Sequence, residues 1–342
     1  MKVLKFIVVI FLMTSSTLLW SQDLHFSQYT MAPLSLNPAF TGFQEGNLRA
    51  NLNYRNQWFT VSSFSTYAFS ADANIIRDNL DYDMLGVGLS FFHDIEEKNG
   101  YSNTSISLST AYNVKLSEKP LQYLGFGVQP SLVKKQINLM DAVYGTLFET
   151  GSNTDPLGFN EYGGFKFDIN MGLSYYVYFN KKHIISTGFT MSHITEPNFG
   201  LVGIDNLYRK YTLYFLSEFE AGIAGLAWIK PSLYFTKQGP SLEFMPGVAA
   251  RVQFYNASKE VFIGFGTAIR MVGHDESKLK PTDFIGNVNL TYEFLTIGFS
   301  YDMAISDLKS ATGRNGGPEI SLIADLKFEK GARRRYFKMM RF

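Results

Sequence analysis

The side chains that most often carry acid–base or metal chemistry are sparse in this sequence. Its five histidines lie far apart, at His25, His93, His183, His193 and His274. No two of them have the i,i+2 or i,i+4 spacing that places two imidazoles on one face beside a carboxylate. There is no cysteine, so thiolate chemistry, disulfides and cysteine-based metal sites are excluded. The sequence predicts no metal site and no cofactor.

Serine–histidine chemistry has only two weak candidates, Ser192 beside His193 and Ser90 near His93. A nucleophilic serine also needs a third group that orients the imidazole, and none stands at a recognisable position. His193 falls near the end of a predicted strand, which is more typical of an interfacial or loop-anchoring histidine than of a ligand. We therefore predict that the protein is not an enzyme.

A third set of polar residues is regularly spaced in the stretch LRANLNYRNQW. Its members are Arg49, Asn51, Asn53, Arg55 and Gln57. Because successive side chains of a β-strand point to opposite faces, these residues share one face, while Leu48, Leu52 and Tyr54 share the other. Their role depends on the element that carries them and on what covers each face.

The N-terminus indicates export. Residues 1–21, MKVLKFIVVIFLMTSSTLLWS, have Lys2 and Lys5 ahead of a short apolar core and small polar residues, as in a signal peptide cleaved after Ser21. The apolar core is shorter than the roughly 20 residues that span a bilayer. Without this segment the chain has 29 basic and 30 acidic residues, a balance that suggests no nucleic-acid partner.

The rest of the chain is rich in aromatic residues (16%), poor in charge (18%) and dominated by period-two alternation. We predict about fourteen strands, most of them roughly 9–14 residues long, near the length that a tilted strand needs to cross a bilayer. Their predicted ranges are 48–57, 64–75, 84–95, 104–116, 121–133, 165–179, 183–195, 208–219, 225–236, 242–255, 260–271, 283–293, 296–304 and 318–328.

Short and long connections alternate between these strands. Gaps after even-numbered strands are short, whereas gaps such as 134–164 and 305–317 after odd-numbered strands are long. Outer-membrane barrels have short periplasmic turns, long extracellular loops and an even number of strands. We therefore predict an all-β transmembrane antiparallel barrel over 47–328 with both termini periplasmic. A secreted soluble β-sandwich is the alternative, and it would expose many aromatic residues to water.

In such a barrel the apolar face meets lipid and the polar face lines the lumen, since unpaired backbone groups are not tolerated in hydrocarbon. An arginine on the lipid face near the midplane costs about 2–4 kcal/mol. The set from Arg49 to Gln57 therefore predicts a polar network in the lumen that pins a loop or the N-terminal segment. Direct contact with a binding partner is the less favoured role. Tyr54, Trp58, Tyr112, Tyr178 and Trp228 are predicted to lie at the membrane interfaces.

Five segments in one order resemble the PorP/SprF family of the bacterial type IX secretion system. They are HFSQYTMAPLSLNPAFTG near the predicted mature N-terminus, YRNQW, LGVGLSFFHD at 85–94, HITEPNFG at 193–200, and GFSYDMAISDLKSATGRNGGPEISLIADLKF at 298–328. The resemblance implies an outer-membrane barrel of a Bacteroidetes-type bacterium that helps to secrete or anchor a particular large adhesin, often in gliding motility. The C-terminus departs from the family, because GARRRYFKMMRF lacks the cysteine–proline element of many relatives.

Two further segments have open roles. Residues 22–46 are too interrupted by Pro33, Pro38 and Gly42 for a spanning strand and too apolar for a free linker, so they either fold into the lumen as a plug or dock a periplasmic partner. The tail 329–342 is basic. It is either a disordered end or a periplasmic docking segment for an acidic partner or lipid phosphates, with Arg333, Arg334, Arg335 and Lys338 as the candidate contacts.

The sequence and the resemblance together predict a non-enzymatic outer-membrane component of type IX secretion. Its predicted partners are a secreted adhesin, other secretion components and the lipid bilayer, with cargo bound by loops such as 134–164 and 196–207. The alternative function is a channel or transporter for a small solute, which would show open-channel conductance.

Overall fold

The computed structural model describes residues 23, 26–57, 63–76, 83–96, 100–138, 152, 161–179, 183–199, 206–222, 226–256, 259–274, 278–306 and 316–328. Within these residues the strands are β1 (Leu48–Gln57), β2 (Phe64–Ile76), β3 (Met84–Glu96), β4 (Tyr101–Glu118), β5 (Leu121–Asn138), β6 (Glu161–Tyr162), β7 (Phe165–Phe179), β8 (His183–Ser192), β9 (Lys210–Glu220), β10 (Ala227–Gln238), β11 (Ser241–Asn256), β12 (Lys259–His274), β13 (Lys280–Tyr292), β14 (Leu295–Ala304) and β15 (Gly317–Leu326).

Fourteen of these strands close into one antiparallel barrel. Each strand pairs with its neighbour in sequence, β5 passes directly to β7, and β1 pairs with β15 to complete the ring. The two-residue strand β6 only extends the far end of β5. Closure removes every free edge, as a sheet in hydrocarbon requires. The predicted all-β antiparallel barrel of about fourteen strands is confirmed.

Successive connections between neighbouring strands of the barrel lie alternately at one end and at the other. Leu48 pairs with Leu326, so β1 begins and β15 ends at the same end, which also carries short turns such as 119–120, 257–258 and 293–294. We call this the turn end. The opposite end, which carries the connections 139–164, 193–209 and 305–316, is the loop end.

The wall follows the alternation in the sequence. Large apolar side chains such as Leu108, 62% exposed, and Phe265, 57% exposed, point outward, while Ser107, Ser109 and Arg270 on the same strands are buried inside. This is the pattern of a sheet with a lipid-facing outer surface and a polar interior.

The strand boundaries differ from the predicted ones mainly at the loop end. β4 and β5 run to 101 and 138, several residues beyond the predicted ranges, because they stay paired with each other from Tyr101↔Ile137 onward. β8 ends at Ser192 rather than at 195, because His193 has a positive φ of 57° that stops the strand.

Two aromatic residues that were predicted to lie at the membrane interfaces line the lumen instead. Trp228 is buried against Phe262 and Arg251, and Tyr178 packs against the buried aromatic cluster of the interior. Each of them faces the same side of its strand as inward-facing neighbours, and the prediction did not take this into account. Trp58 lies outside the described residues.

Residues 26–46 form short helical turns rather than a strand. α1 (Pro33–Leu36) is flanked by 3-10 turns at Tyr29–Met31 and Pro38–Phe40. Pro33 and Pro38 each stand at the first turn of their helix, where a missing N–H costs nothing. The Asn37 side chain accepts a hydrogen bond from the Ala39 N–H at 2.8 Å and caps the second 3-10 turn. No helix among the described residues is long and apolar enough to cross a membrane.

Candidate functional site

The N-terminal segment, here Asp23 and residues 26–46, lies inside the barrel. Its contacts run from one end of the lumen to the other: the Asp23 N–H donates to Gln238 at the loop end, and the Gly46 N–H donates to Asp325 at the turn end. Between these points it touches inward side chains all around the wall. The described start of the chain therefore lies at the loop end and Phe328 lies at the turn end, because the segment crosses the lumen before β1 begins. The prediction placed both termini on the periplasmic side, whereas the described ends of the chain lie at opposite ends of the barrel.

We divide the segment into a loop-side half, Asp23 and residues 26–31, and a turn-side half, residues 32–46. A cluster of charged wall residues holds the loop-side half. Its members are Arg55, Glu243, Arg270, Asp283, Asp302 and Glu319. Within it, Asp302 lies between two arginines, with its Oδ2 atom 2.8 Å from both Arg55 Nη2 and Arg270 Nη1. These ions are almost fully buried, so each depends on its partners.

Ser27 of the segment completes this cluster. Its hydroxyl donates to Asp302 Oδ2 at 2.6 Å and accepts from Arg270 Nη2 at 2.6 Å. The backbone N–H groups of Ser27 and Gln28 donate to the two carboxylate oxygens of Glu319, at 2.7 and 3.0 Å. The segment thereby supplies hydrogen-bond partners to buried charged groups that would otherwise lack them.

A second charged contact at the loop end is a clamp around His193. The ring Nδ1 lies 2.5 Å from Asp168 Oδ2, and Nε2 forms a short contact with Asp23 Oδ2. The positive φ of His193 turns the chain away from β8, and its backbone N–H donates to Asn170 at 3.0 Å. The imidazole thus joins the start of the N-terminal segment to β7.

The electrostatics of the clamp favour the charged imidazolium. Burial lowers the pKa of His193, but the carboxylates of Asp23 and Asp168 outweigh it and raise the pKa to about 9. Burial raises the pKa of Asp23, but the imidazolium, together with Lys210 and Lys135, brings it well below its ordinary value. At neutral pH the imidazole of His193 is therefore a cation, and it lies between the carboxyl groups of Asp23 and Asp168.

The turn-side half is held mainly through its backbone. Arg49 and Asp72 form a bidentate pair at 3.0 and 2.8 Å. From this pair, Arg49 donates to the Phe40 carbonyl at 2.8 Å and Asp72 accepts from the Gly42 N–H at 2.7 Å. Arg49 and Asp72 therefore neutralise each other's charge, and their remaining donor and acceptor atoms bind peptide groups of the segment.

Wall glycines let the turn-side backbone approach closely. A Cβ atom on Gly86 would collide with the backbone of Thr41 and Gly42, and one on Gly127 would collide with the backbone of Pro38 and Ala39. No side chain fits between these surfaces. Amide bonds add to this fit: Asn37 Nδ2 donates to the Leu173 carbonyl at 2.8 Å, across the lumen from β1.

Aromatic side chains of the segment fill the remaining space. Tyr29 stacks on Tyr234 with ring centroids 4.8 Å apart, and Phe40 packs on Tyr214 at 5.5 Å. Phe43 meets Tyr123 and Tyr176 edge to face. The interior of the barrel therefore contains a packed aromatic cluster to which both halves of the segment contribute.

The predicted polar set of β1 occupies the lumen face. Arg49 and Arg55 belong to the two charged clusters, and Asn51 and Asn53 each donate to the Met31 carbonyl at 3.2 Å. Gln57, half-buried at the end of β1, lies beside Gly317 and apart from these bonds. Arg333, Arg334, Arg335 and Lys338 lie outside the described residues.

The sequence prediction missed most partners of that set. Asp302 and Glu319 are 247 and 264 positions from Arg55, and no local pattern joins them. The available signal was their position among small or polar residues on the lumen parity of β14 and β15, as in Ser300-Tyr301-Asp302 and Glu319-Ile320-Ser321.

The clamp is not arranged for catalysis or for metal binding. Both ring nitrogens of His193 face carboxylates, so neither is available to Ser192 as a base. Within the described ranges, no group of three or more His, Cys, Asp or Glu residues is placed to hold a metal ion.

Comparison of the sequence with models of known protein families identifies the family of this barrel. The model of the family "Type IX secretion system membrane protein PorP/SprF" matches residues 19–322, which is most of the chain. The chain belongs to the PorP/SprF family. It is thus an outer-membrane β-barrel of the type IX secretion membrane protein family, and the predicted localisation in the outer membrane is confirmed. No curated protein matches the sequence significantly.

Three solved structures are similar to this chain at low sequence identity. A "CymD monoaromatic hydrocarbon channel" is 10% identical, with 88% of this chain and 94% of that chain covered and a TM-score of 0.47. A "TodX monoaromatic hydrocarbon channel deltaS2 mutant" is 8% identical, with 87% and 94% covered and a TM-score of 0.48. A "Bacterial polysaccharide outer membrane secretin" is 6% identical, with 83% and 100% covered and a TM-score of 0.42. Similarity at this level carries no functional conclusion.

Proposed function

We propose that this PorP/SprF protein is a non-enzymatic component of the type IX apparatus that helps to secrete or anchor one large cell-surface adhesin, of the kind used in gliding motility. The observation that carries this proposal is the lumen, which the protein's own N-terminal segment occupies through buried ion pairs and backbone contacts. A lumen filled in this way favours recognition at the barrel ends over free passage of a folded cargo.

In this proposal the loop end is extracellular and presents the cargo-binding surface. The connections between β5 and β7 and between β8 and β9 are the longest of the barrel, as extracellular loops are. The turn end faces the periplasm, where other secretion components bind. The His193 clamp links these two surfaces, because it ties the connection after β8 to the segment that continues to the turn end.

A pull-down from detergent extracts tests the cargo role. The full chain should recover one very large secreted protein, and replacement of the β5–β7 and β8–β9 connections by short Gly/Ser turns should abolish that recovery. The matched control replaces the connection between β12 and β13, which also lies at the loop end. Recovery of neither a secreted protein nor a type IX component by the full chain would overturn the proposal.

The N-terminal segment is, in this proposal, a plug. Deletion of residues 22–46 should raise the ion conductance of the purified barrel in planar bilayers well above that of the full chain. Conductance that stays low after the deletion, in a protein shown to be folded, would contradict the plug role. The deletion removes Ser27 and the Phe40 carbonyl that Arg49 binds, so folding must be checked by heat-modifiable gel mobility.

The basic tail is proposed as a periplasmic docking segment, with Arg333, Arg334, Arg335 and Lys338 as its contacts. Its charge suits an acidic protein surface or the phosphates of the inner leaflet. Deletion of 330–342 should reduce the co-purification of periplasmic partners. Unchanged co-purification would leave the tail as a solubilising end.

A small-solute channel is the second candidate, and one observation favours it. The segment does not fill the whole lumen, because a cavity of about 160 Å³ remains between it and the wall. Steady conductance by the full chain with its segment in place would support this candidate, whereas conductance seen only after deletion of 22–46 would support the first.

A further inference from the structure

A cavity in the described lumen lies beside the N-terminal segment. It has a volume of about 160 Å³ and is bounded by residues of β3, β4, β5, β7, β8 and β9 on one side and by Asp23 and segment residues from Phe26 to Pro38 on the other. A cavity of about 150 Å³ accommodates a six-membered ring such as benzene. The space is therefore large enough for one ring-sized molecule.

One wall of the cavity is lined by neutral hydrogen-bonding groups. Inward positions of β4 supply Asn103, Ser105 and Ser107, and β5 and β7 add Gln129 and Asn170. The hydrogen bonds among these groups are few. Ser105 and Ser107 share one contact at 3.4 Å, and Asn170 donates to Gln129 at 3.0 Å.

Asn103 has unused hydrogen-bonding capacity in this wall. Its Oδ1 atom is buried, and no described residue donates to it. The hydroxyl and amide side chains that line the cavity make this wall polar without a charge, so it suits a ligand that carries hydroxyl groups.

The opposite wall is apolar. It comes from the segment, with Phe26, Leu34 and Leu36, while Phe92 and Val133 lie beside Ser105 in the barrel wall. A ligand with hydroxyls along one side and C–H groups on the other matches the two walls together. In pockets of this kind, the apolar lining contributes most of the affinity for the ligand, and the few polar groups fix the orientation of the ligand.

The charges near the cavity balance. Among the described lining residues, Asp23, His193 and Lys210 are the charged ones, and Asp168 lies behind His193. With the imidazolium protonated, two positive charges face two negative ones. A ligand with a net charge would lose its hydration without a free counter-charge, so a neutral ligand is favoured.

From these features we propose that the cavity is a binding site for a neutral hexose ring, taken either as a free sugar or as the terminal residue of a glycan. The ring lies between the amide–hydroxyl wall of β4, β5 and β7 and the apolar face of the segment. Because it contacts both, its binding stabilises the seated segment by mass action. The site lies in the lumen, and His193 and Leu207 of the β8–β9 connection, which is proposed to bind the adhesin, form part of its lining.

Saturation-transfer NMR on the full chain tests the site. The protein is kept in a detergent without a sugar headgroup, since maltoside and glucoside headgroups would compete. The probes are glucose, galactose, mannose and N-acetylglucosamine, with glucuronate as a charged ring and phenol as a flat ring of similar size. At least one neutral hexose should bind, and glucuronate and phenol should bind at least about tenfold more weakly.

Two variants and one control locate the binding. Asn103→Leu and Ser105→Val should each weaken hexose binding by about tenfold, since each removes a polar partner. Thr291→Val is the matched control, because Thr291 is a lumen hydroxyl bonded to Thr296 at the turn end, far from the cavity. It should leave binding unchanged. If Asn103→Leu does not fold, the result for Ser105→Val decides.

Other outcomes separate the sources of the sugar or overturn the proposal. Binding of methyl glycosides and disaccharides as tight as that of the free hexose identifies a glycan end, and binding of the free sugar alone identifies a free ligand. No hexose binding, phenol binding tighter than every hexose, or binding unaffected by both variants would overturn the proposed site.

Discussion

The two halves of the N-terminal segment are held in different ways. The loop-side half depends on side-chain charges: Ser27 is bonded within the Arg55–Asp302–Arg270 group, and Asp23 is bonded to His193. The turn-side half depends on shape: its backbone lies against Gly86 and Gly127, where no Cβ atom fits. Both halves are buried and both bond to charged wall groups, but the turn-side half is also fixed by backbone contacts with glycine that a change of charge does not remove.

This difference indicates where the segment gives way first. Charged contacts can be weakened by pH or by a single neutral substitution, whereas a backbone seated against glycine yields only if the backbone moves. We therefore expect the loop-side half to detach while the turn-side half stays in place. Because the protein has no cysteine, single spin labels at Thr30→Cys in the first half and Ser35→Cys in the second report on each half separately.

The largest effect is expected from Asp302→Asn. This change removes the carboxylate between Arg55 and Arg270 and leaves two buried cations with reduced compensation, at a cost of about 3–5 kcal/mol. The label at Thr30→Cys should become mobile, and the label at Ser35→Cys should not. Equal mobility at both positions would show that the halves move as one unit.

The matched control for that change is Asp283→Asn on the same cluster. Asp283 is partly exposed and lies 3.3 Å from Arg270, which keeps its shorter contact with Asp302. Its loss should cost about 1 kcal/mol or less, as for a partly solvated pair. Urea unfolding of the labelled proteins gives both values.

The next largest effect is expected from Gly86→Ala, which tests the shape of the turn-side half. The new methyl group would meet the backbone of Thr41 and Gly42, and overpacking of this kind costs about 1–3 kcal/mol. The same substitution at Gly286, which has nothing within 4 Å of the added Cβ, is the control and should leave stability unchanged or slightly raised. An equally mild result at both sites would mean that glycine is not needed for the close approach.

Much of the wall was predictable because strand alternation is a local property. The predicted ranges 48–57 and 165–179 coincide with β1 and β7, and the inward set from Arg49 to Arg55 follows from parity and the cost of arginine in lipid. The strand ends were less predictable, since a single positive φ at His193 ends β8. The local sequence pattern does not indicate such a backbone conformation.

The contents of the lumen were only partly predictable. The composition of 22–46 suggested either a plug or a docking segment, and nothing in it named Asp302, Glu319 or Asp72 as partners. These partners are brought together by barrel closure, which joins β1 to β15 across almost the whole chain. The prediction for Trp228 was wrong for a different reason. Trp228 faces the same side of its strand as Lys230 and Ser232, which is the lumen side, but the prediction followed the preference of tryptophan for membrane interfaces.

A smaller effect is expected from His193→Gln. Glutamine keeps a donor and an acceptor but loses the positive charge between Asp23 and Asp168, at a cost of about 1–3 kcal/mol for the contact. The label at Thr30→Cys should gain some mobility at neutral pH, less than with Asp302→Asn. His183→Gln is the control, because His183 lies at the turn-end start of β8 and faces Phe219.

The smallest and most specific effect is expected from pH on the clamp. The pKa of His193 is raised to about 9, so its contribution is fully present below the ordinary histidine value of about 6.5 and is lost as the pH rises through about 9. The pKa of Asp23 is lowered, so its contribution is lost only in strong acid. The Thr30→Cys label should therefore be immobile from weakly acidic to neutral pH and become mobile above pH 9. The His193→Gln protein should show no such transition, because the group that loses its proton is gone. A transition that persists in His193→Gln would assign the alkaline release to another group, and the clamp would then contribute nothing to the difference between the two halves.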